Sequence, residues 1–303
     1  MRNTFINHLC KLAALHEDIF LLCGDLGYAV LEPFADNFPD RYLNVGIAEQ
    51  NMTQVAVGLA REGYNVFTYS IGNFPTLRCM EQIRYDVCYH QANVKIVAVG
   101  AGYAYGALGV SHHATEDVAM LRAIPNMTLC APADPLEAIA AADFMVTHQG
   151  PGYVRLNKTG EACIHDATQP LTIAPGMFIT VRSGEGTAVL TTGAILGSIM
   201  AELKQFDTDW AVFSVPFVGG YLPEKLVELA GCFDTFVTVE EHQLNGGFGS
   251  SIIEAFSDLY AKGELDHMPP VQRIGIPNQF IWTSGSQDHL RRTANLTLAG
   301  LMR

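Results

Sequence analysis

The sequence predicts an α/β protein of two domains, each a mainly parallel sheet flanked by helices. Three observations carry this. The chain has 303 residues, 49% hydrophobic and only 16% charged, which is enough apolar material for two cores and too little charge for a coiled coil or a disordered chain. Short apolar runs of strand length alternate with helical stripes. A stretch of Gly, Pro, Thr and Ser from residue 159 to residue 186 breaks that alternation near the middle.

Phe5, Leu9, Leu12 and Leu15 share one helical stripe, and residues 19–23 read as a buried strand running into Gly24-Asp25. A helix opens near Glu49 and is stopped by Gly63. Strands at 65–69, 94–99 and 127–131 then alternate with helices at 76–90, 115–123 and 135–147, the pattern of a parallel sheet. Residues 1–160 form the first expected domain, and residues 161–186 are a linker holding one short strand. In the second domain, 187–303, strands at 187–192, 210–215, 236–240 and 272–276 alternate with helices near 198–206, 223–230 and 250–260.

Lys and Arg number 18 against 31 Asp and Glu, a net charge of −13, which is the wrong sign for nucleic acid or an anionic membrane. The seven cysteines, at 10, 23, 79, 88, 130, 163 and 232, are odd in number and form no CxxC pair. They are expected to be buried, reduced thiols of a cytoplasmic protein. The charged start of the chain predicts no signal peptide. The longest apolar stretch, 96–110, is broken by four glycines and two tyrosines and is too short to span a bilayer.

Gly100-Ala101-Gly102-Tyr103-Ala104-Tyr105-Gly106 follows a strand at nearly the spacing of a dinucleotide fingerprint, but Ala107 to Ser111 continue the loop where that fingerprint needs a helix. A glycine-rich active-site loop is the preferred reading. Gly246-Gly247-Phe248-Gly249-Ser250 reads as a turn ending in a serine N-cap, with phosphate binding as the alternative. His112-His113 lacks a third ligand at diagnostic spacing, so no metal is expected on this chain alone. Glu49, at a helix start among small residues, fits a buried functional acid and a capping carboxylate equally well.

Gly46-Ile47-Ala48-Glu49-Gln50-Asn51-Met52, Ser70-Ile71-Gly72-Asn73-Phe74, Glu81-Gln82-Ile83-Arg84, Gly109-Val110-Ser111-His112 and Ile124-Pro125-Asn126-Met127, in this order, resemble transketolase. The resemblance covers essentially the whole chain and extends to Thr238-Val239-Glu240-Glu241-His242 and Gly246 to Ser250. It corresponds to the C-terminal half of transketolase, the pyrimidine-binding domain followed by the C-terminal domain. The family's Gly-Asp-Gly segment, which holds diphosphate and metal, is absent, and Gly24-Asp25-Leu26-Gly27 does not replace it. The resemblance therefore implies one subunit of a split transketolase, in an α2β2 assembly with an N-terminal subunit that carries most of the Mg²⁺ (or Ca²⁺) and diphosphate site.

It also implies thiamine diphosphate as cofactor and transfer of a two-carbon ketol unit from a ketose to an aldehyde or keto-sugar acceptor. Glu49 matches the acid on the aminopyrimidine, Phe74 the aromatic beneath it, Asp25 an acid beside the thiazolium, and His112 a ligand of donor oxygens. Ile71 and Leu77 stand where the family has further aromatics. Leu108 replaces an aspartate that reads a donor hydroxyl, Lys158 an arginine, Gly100 a histidine and Ala29 a serine, so three sugar-phosphate contacts are lost or softened. Substrates are expected to be sugars or sugar phosphates, including branched, deoxygenated or nucleotide-linked ones. A 1-deoxyxylulose-5-phosphate synthase-like protein, a 2-oxoacid dehydrogenase β-type subunit and a non-catalytic regulatory subunit are the alternatives.

Overall fold

Strand β1 (Ile19–Cys23) is buried along its whole length, as an unbroken apolar run covered on both faces should be. Around it lie β2 (Tyr42–Asn44), β3 (Asn65–Ile71), β4 (Val94–Val99), β5 (Thr128–Cys130) and β6 (Gly152–Leu156), in the order β2-β1-β3-β4-β6-β5. All five pairings are parallel. Helices α1 (Arg2–Ala13), α2 (Glu32–Asn37), α3 (Glu49–Arg61), α4 (Met80–Gln82), α5 (Asp117–Arg122) and α6 (Pro135–Thr147) connect the strands. The computed structural model describes residues 1–158 and 160–301; Thr159, at the end of the expected first domain, and Met302 and Arg303, at the end of the second, lie outside the described residues.

The second sheet runs β11-β10-β8-β9-β7, from β7 (Ile179–Arg182), β8 (Thr187–Thr191), β9 (Ala211–Ser214), β10 (Thr235–Gln243) and β11 (Val271–Ile276). Only β7, the short strand expected in the linker, pairs antiparallel. Helices α7 (Ile195–Leu203), α8 (Pro223–Cys232), α9 (Phe248–Ala261) and α10 (Gln287–Thr293) complete this half.

Several local expectations are corrected. Helix α1 stops at Ala13, leaving Leu15 exposed. The helix expected over 76–90 is a 3₁₀ turn, the short α4 and then a π-helix, Ile83–Cys88, whose wider turn brings Ile83, Val87 and Cys88 into the core together. All seven cysteines are free, but Cys163 and Cys232 are exposed and Cys10 is half-buried. The glycine-rich segment before α9 has no serine cap: α9 begins at Phe248, and the amides of Phe248 and Gly249 donate to the Glu240 carboxylate at 2.6 and 2.8 Å. That carboxylate already holds the donors that a phosphate would need. Among the described residues no helix is long and apolar enough to cross a membrane.

The halves share a continuous interface. Val118, Leu121 and Leu129 of the first belong to the same buried cluster as Phe213, Val215 and Phe248 of the second. Buried polar groups fix the register there. Arg155, the fourth residue of β6, donates to Asp117 (2.7 and 3.2 Å), to the Ala114 carbonyl (2.7 Å) and to the Glu241 carbonyl (3.1 Å). The Glu241 carboxylate accepts from the Tyr103 amide (2.8 Å), Gln287 and Arg291. Burial alone would raise the carboxyl of Asp117, but Arg155 and His242 hold it below its ordinary value.

Candidate active site

From β1 the chain steps to β2 on one side and then to β3 on the other, which opens a crevice at the C-terminal ends of β1 and β3. Open α/β sheets bind ligands at such a reversal. The ends of β1, β2 and β3 lead directly to Asp25, Glu49 and Ile71-Phe74.

Glu49 is the first residue of α3, where the helix dipole favours an anion, yet the residue is only 1% exposed. Its Oε2 accepts from Arg78 Nη1 at 2.6 Å. Gly24 passes so close that a Cβ there would stand 3.6 Å from Glu49 Oε1. The Arg78 guanidinium also lies 5.0 Å from the centre of the Phe74 ring. His112 meets Phe74 edge-on at 5.3 Å and Tyr105 at 6.3 Å, and Lys158 Nζ lies 5.2 Å from the Tyr105 ring. Glu49, Arg78, Phe74, His112, Tyr105 and Lys158 thus form one continuous wall.

Burial, reinforced by His113, lowers the pKa of His112, so the ring is neutral at pH 7 and its Nδ1 lies 3.0 Å from Ser111 Oγ. His113 faces the other way, against Tyr103 at 5.1 Å, so the two histidines do not converge on one point. Asn73 Nδ2 donates to the carbonyls of Ser111 (3.2 Å) and His113 (2.8 Å), tying the Phe74 turn to the histidine loop, while its Oδ1 is buried without a partner.

Asp25 is held rather than free. Its backbone sits at φ +54°, and it exchanges hydrogen bonds with Asn44 at 2.9 and 3.0 Å. Asn44 also accepts from the Gly46 amide at 3.0 Å, which couples Asp25 to the approach to Glu49 without side-chain contact between them. Ile71 is half-buried at the end of β3, and Leu108 is 57% exposed on a 3₁₀ turn. Gly100, at φ +102°, has the Tyr105 ring 2.3 Å from where a Cβ would stand, so a histidine cannot share this position with Tyr105 as placed. Gly102 serves packing, since a Cβ there would collide with Glu241 at 2.5 Å. No helix opens on Gly106, only a three-residue 3₁₀ turn, so the dinucleotide alternative lacks its phosphate site.

Sequence reasoning missed Arg78, Tyr105 and Asn73. Arg78, four residues beyond Phe74 in the same turn, is an arginine within reach of a buried acid, a signal that only the fold makes visible. A buried carboxylate beside an aromatic face fits an aminopyrimidine. Among the described residues no group of three or more His, Cys, Asp or Glu side chains converges as a metal site.

The transketolase pyrimidine-binding domain model matches residues 1–160, and the transketolase C-terminal domain model matches residues 176–301. The chain belongs to the transketolase family. It is 32% identical to a subunit of the apulose-4-phosphate transketolase of Actinobacillus succinogenes, over 87% of this chain and 83% of that protein. It is 30% identical to the 1-deoxy-D-xylulose-5-phosphate synthase of Lawsonia intracellularis, over 97% of this chain but only 46% of that longer protein. A solved structure described as a split gene transketolase, inactive beta4 tetramer, superposes with a TM-score of 0.84 at 29% identity, covering 98% of this chain and 93% of that one.

Proposed function

We propose that this chain is a subunit of a split, thiamine diphosphate-dependent transketolase. It transfers a two-carbon ketol unit from a ketose to an aldehyde or keto-sugar acceptor, and is active only with a partner that carries the diphosphate and Mg²⁺ (or Ca²⁺) site, as α2β2. Residues 1–160 are its pyrimidine-binding domain, 161–186 the linker and 187–303 its C-terminal domain, and free thiols suit a cytoplasmic location. The observation that supports this is the line of contacts at the sheet's switch point in which Arg78 joins Glu49 to Phe74 and Phe74 meets His112.

When bound, the cofactor supplies the nucleophilic carbon and the electron sink of ketol transfer. Glu49 Oε2 holds or gives the proton shared with the pyrimidine edge, in a pocket from which water is largely excluded. Phe74 and Ile71 would hold the aminopyrimidine by apolar contact. Asp25, fixed by Asn44, presents a negative charge at the neighbouring crevice. His112, neutral, exchanges hydrogen bonds with substrate oxygens.

Recognition of the substrate's far end is altered. Leu108 offers no acceptor to a hydroxyl, Gly100 and Ala29 bring no side-chain donor, and Lys158 is a point charge resting on Tyr105. Next along the loop from Leu108, Gly109 and Val110 line a cavity of about 290 Å³ with Phe280, Ile281 and Trp282, an apolar recess for part of a bulkier, modified or nucleotide-linked sugar.

The test is kcat/KM of the assembled complex for xylulose 5-phosphate against unphosphorylated and branched ketoses. Ketol transfer with a modified sugar as best substrate is the expected result. If xylulose 5-phosphate and ribose 5-phosphate are the best pair by a wide margin, substrate recognition is that of an ordinary transketolase. Formation of 1-deoxy-D-xylulose 5-phosphate would instead establish the synthase-type reaction named for the longer relative.

A further inference from the structure

Arg78 makes both of the contacts for which the proposed cofactor site needs Glu49 and Phe74. Its Nη1 is 2.6 Å from Glu49 Oε2, and its guanidinium carbon is 5.0 Å from the centre of the Phe74 ring. The pair is asymmetric: the carboxylate side chain is 2% exposed and the arginine side chain 46%. The arginine therefore covers the pocket from outside, while the acid is part of its floor.

A guanidinium is flat, directs N–H donors outward in its own plane and lays its face on aromatic rings. An aminopyrimidine offers the same combination, a flat face with a nitrogen and an amino group along one edge. We infer that Arg78 is an internal placeholder: its guanidinium occupies the aminopyrimidine position in the cofactor-free subunit and must leave when cofactor loads. This rests on the cofactor reading above. The physical need is clear, because a buried carboxylate without a partner is expensive, and a subunit that waits for its partner must keep Glu49 satisfied. The exposed side of Arg78 makes the pair breakable, since the displaced guanidinium has water to turn to. Arg78 is thus a positioning residue that sets how tightly and how fast the pocket fills.

The test uses the full chain and, as probe, the aminopyrimidine fragment of thiamine, which lacks a diphosphate and so does not need the partner's site. Binding is measured by calorimetry or NMR titration for the native chain, Arg78→Ala and Glu49→Gln. Arg78→Ala should bind the fragment about two- to fivefold more tightly than the native chain, the effect of removing a half-exposed ion pair. Glu49→Gln should bind it more weakly than either. Arg78→Gln serves if the alanine variant unfolds, and is judged by the same inequality. If Arg78→Ala binds no better than the native chain while Glu49→Gln still loses affinity, the placeholder is wrong and the cofactor reading stands. If Glu49→Gln binds as the native chain does, or if no variant binds the fragment, both fall.

Discussion

Replacing Glu49 with Gln separates a functional acid from a helix-start carboxylate, because the structure predicts different sizes for the effects on stability and on turnover. Glutamine has nearly the shape of glutamate and still accepts from Arg78, so no cavity opens. The one charge left behind belongs to a side chain that is 46% exposed and can turn to water. Such a pair is worth about 0–1 kcal/mol, so the urea midpoint should move by no more than that. Turnover should fall roughly 10²- to 10⁴-fold, the range for losing a positioned proton-transfer group. Exchange of the cofactor's acidic proton with D₂O, followed by NMR in the assembled complex, should slow in parallel. Ordinary exchange in the variant would reduce Glu49 to a capping carboxylate and refute the reasoning.

Two further predictions concern the domain interface. Burial raises Glu240 from its ordinary 4.5 to about 7, against the pull of two amides, and burial lowers His242 from 6.5 to about 4. A raised acid loses stability as pH climbs through about 4.5 to 7, whereas a depressed histidine loses it as pH falls through about 6.5 to 4, so the two oppose each other. Glu240→Gln should therefore unmask an increase of about 3 kcal/mol between pH 4 and pH 6.5, and His242→Gln a comparable decrease toward pH 7, both read as differences from the native chain in urea unfolding. Identical pH slopes in all three proteins would refute the pairing. Asp117→Ala, which strands Arg155 at 4% exposure, should cost about 3–5 kcal/mol. Arg122→Met, which removes an ion pair whose Glu254 side chain is 58% exposed, should cost less than about 1 kcal/mol by the same measurement.

Where pattern and burial agree, the fold was legible. Residues 19–23, 94–99 and 135–147 read from the sequence with the limits of β1, β4 and α6, because each is a mainly apolar run or is bounded by a clear signal, such as the Asp134-Pro135 start of α6. Strand β6 was not legible, since Gly152-Tyr153-Val154-Arg155-Leu156 carries an arginine and buries it against Asp117 from elsewhere in the chain. Strand β2 and helix α10 were too short to show a period. Of the site, Glu49, Phe74 and His112 were legible through resemblance, and the structure brings Phe74 and His112 into contact. Arg78 was not, because its meaning depends on a loop folding back over a helix start 29 residues earlier.

The second domain is more than an appendage to that site. Four consecutive residues of β10, Glu240 to Gln243, are buried, although a strand this polar would ordinarily face water. One steadies its own domain and the other three reach across the boundary. Glu240 holds the start of α9, and Glu241 accepts the Tyr103 amide. His242, neutral with its proton on Nδ1, donates to the Gln243 carbonyl and accepts from the Ala119 amide, while the Gln243 amide donates to the Thr115 carbonyl. Tyr103 and Thr115 are the two ends of the loop that carries Tyr105, Leu108 and His112. The Gly102–Ala114 bridge closes the same loop at its base. A loop pinned at both ends by a rigid strand of another domain keeps His112 against Phe74 with only two three-residue 3₁₀ turns of its own. The residues that prepare the site thus lie in the C-terminal domain, even though Asp25, Glu49, Phe74 and His112 all lie before residue 160.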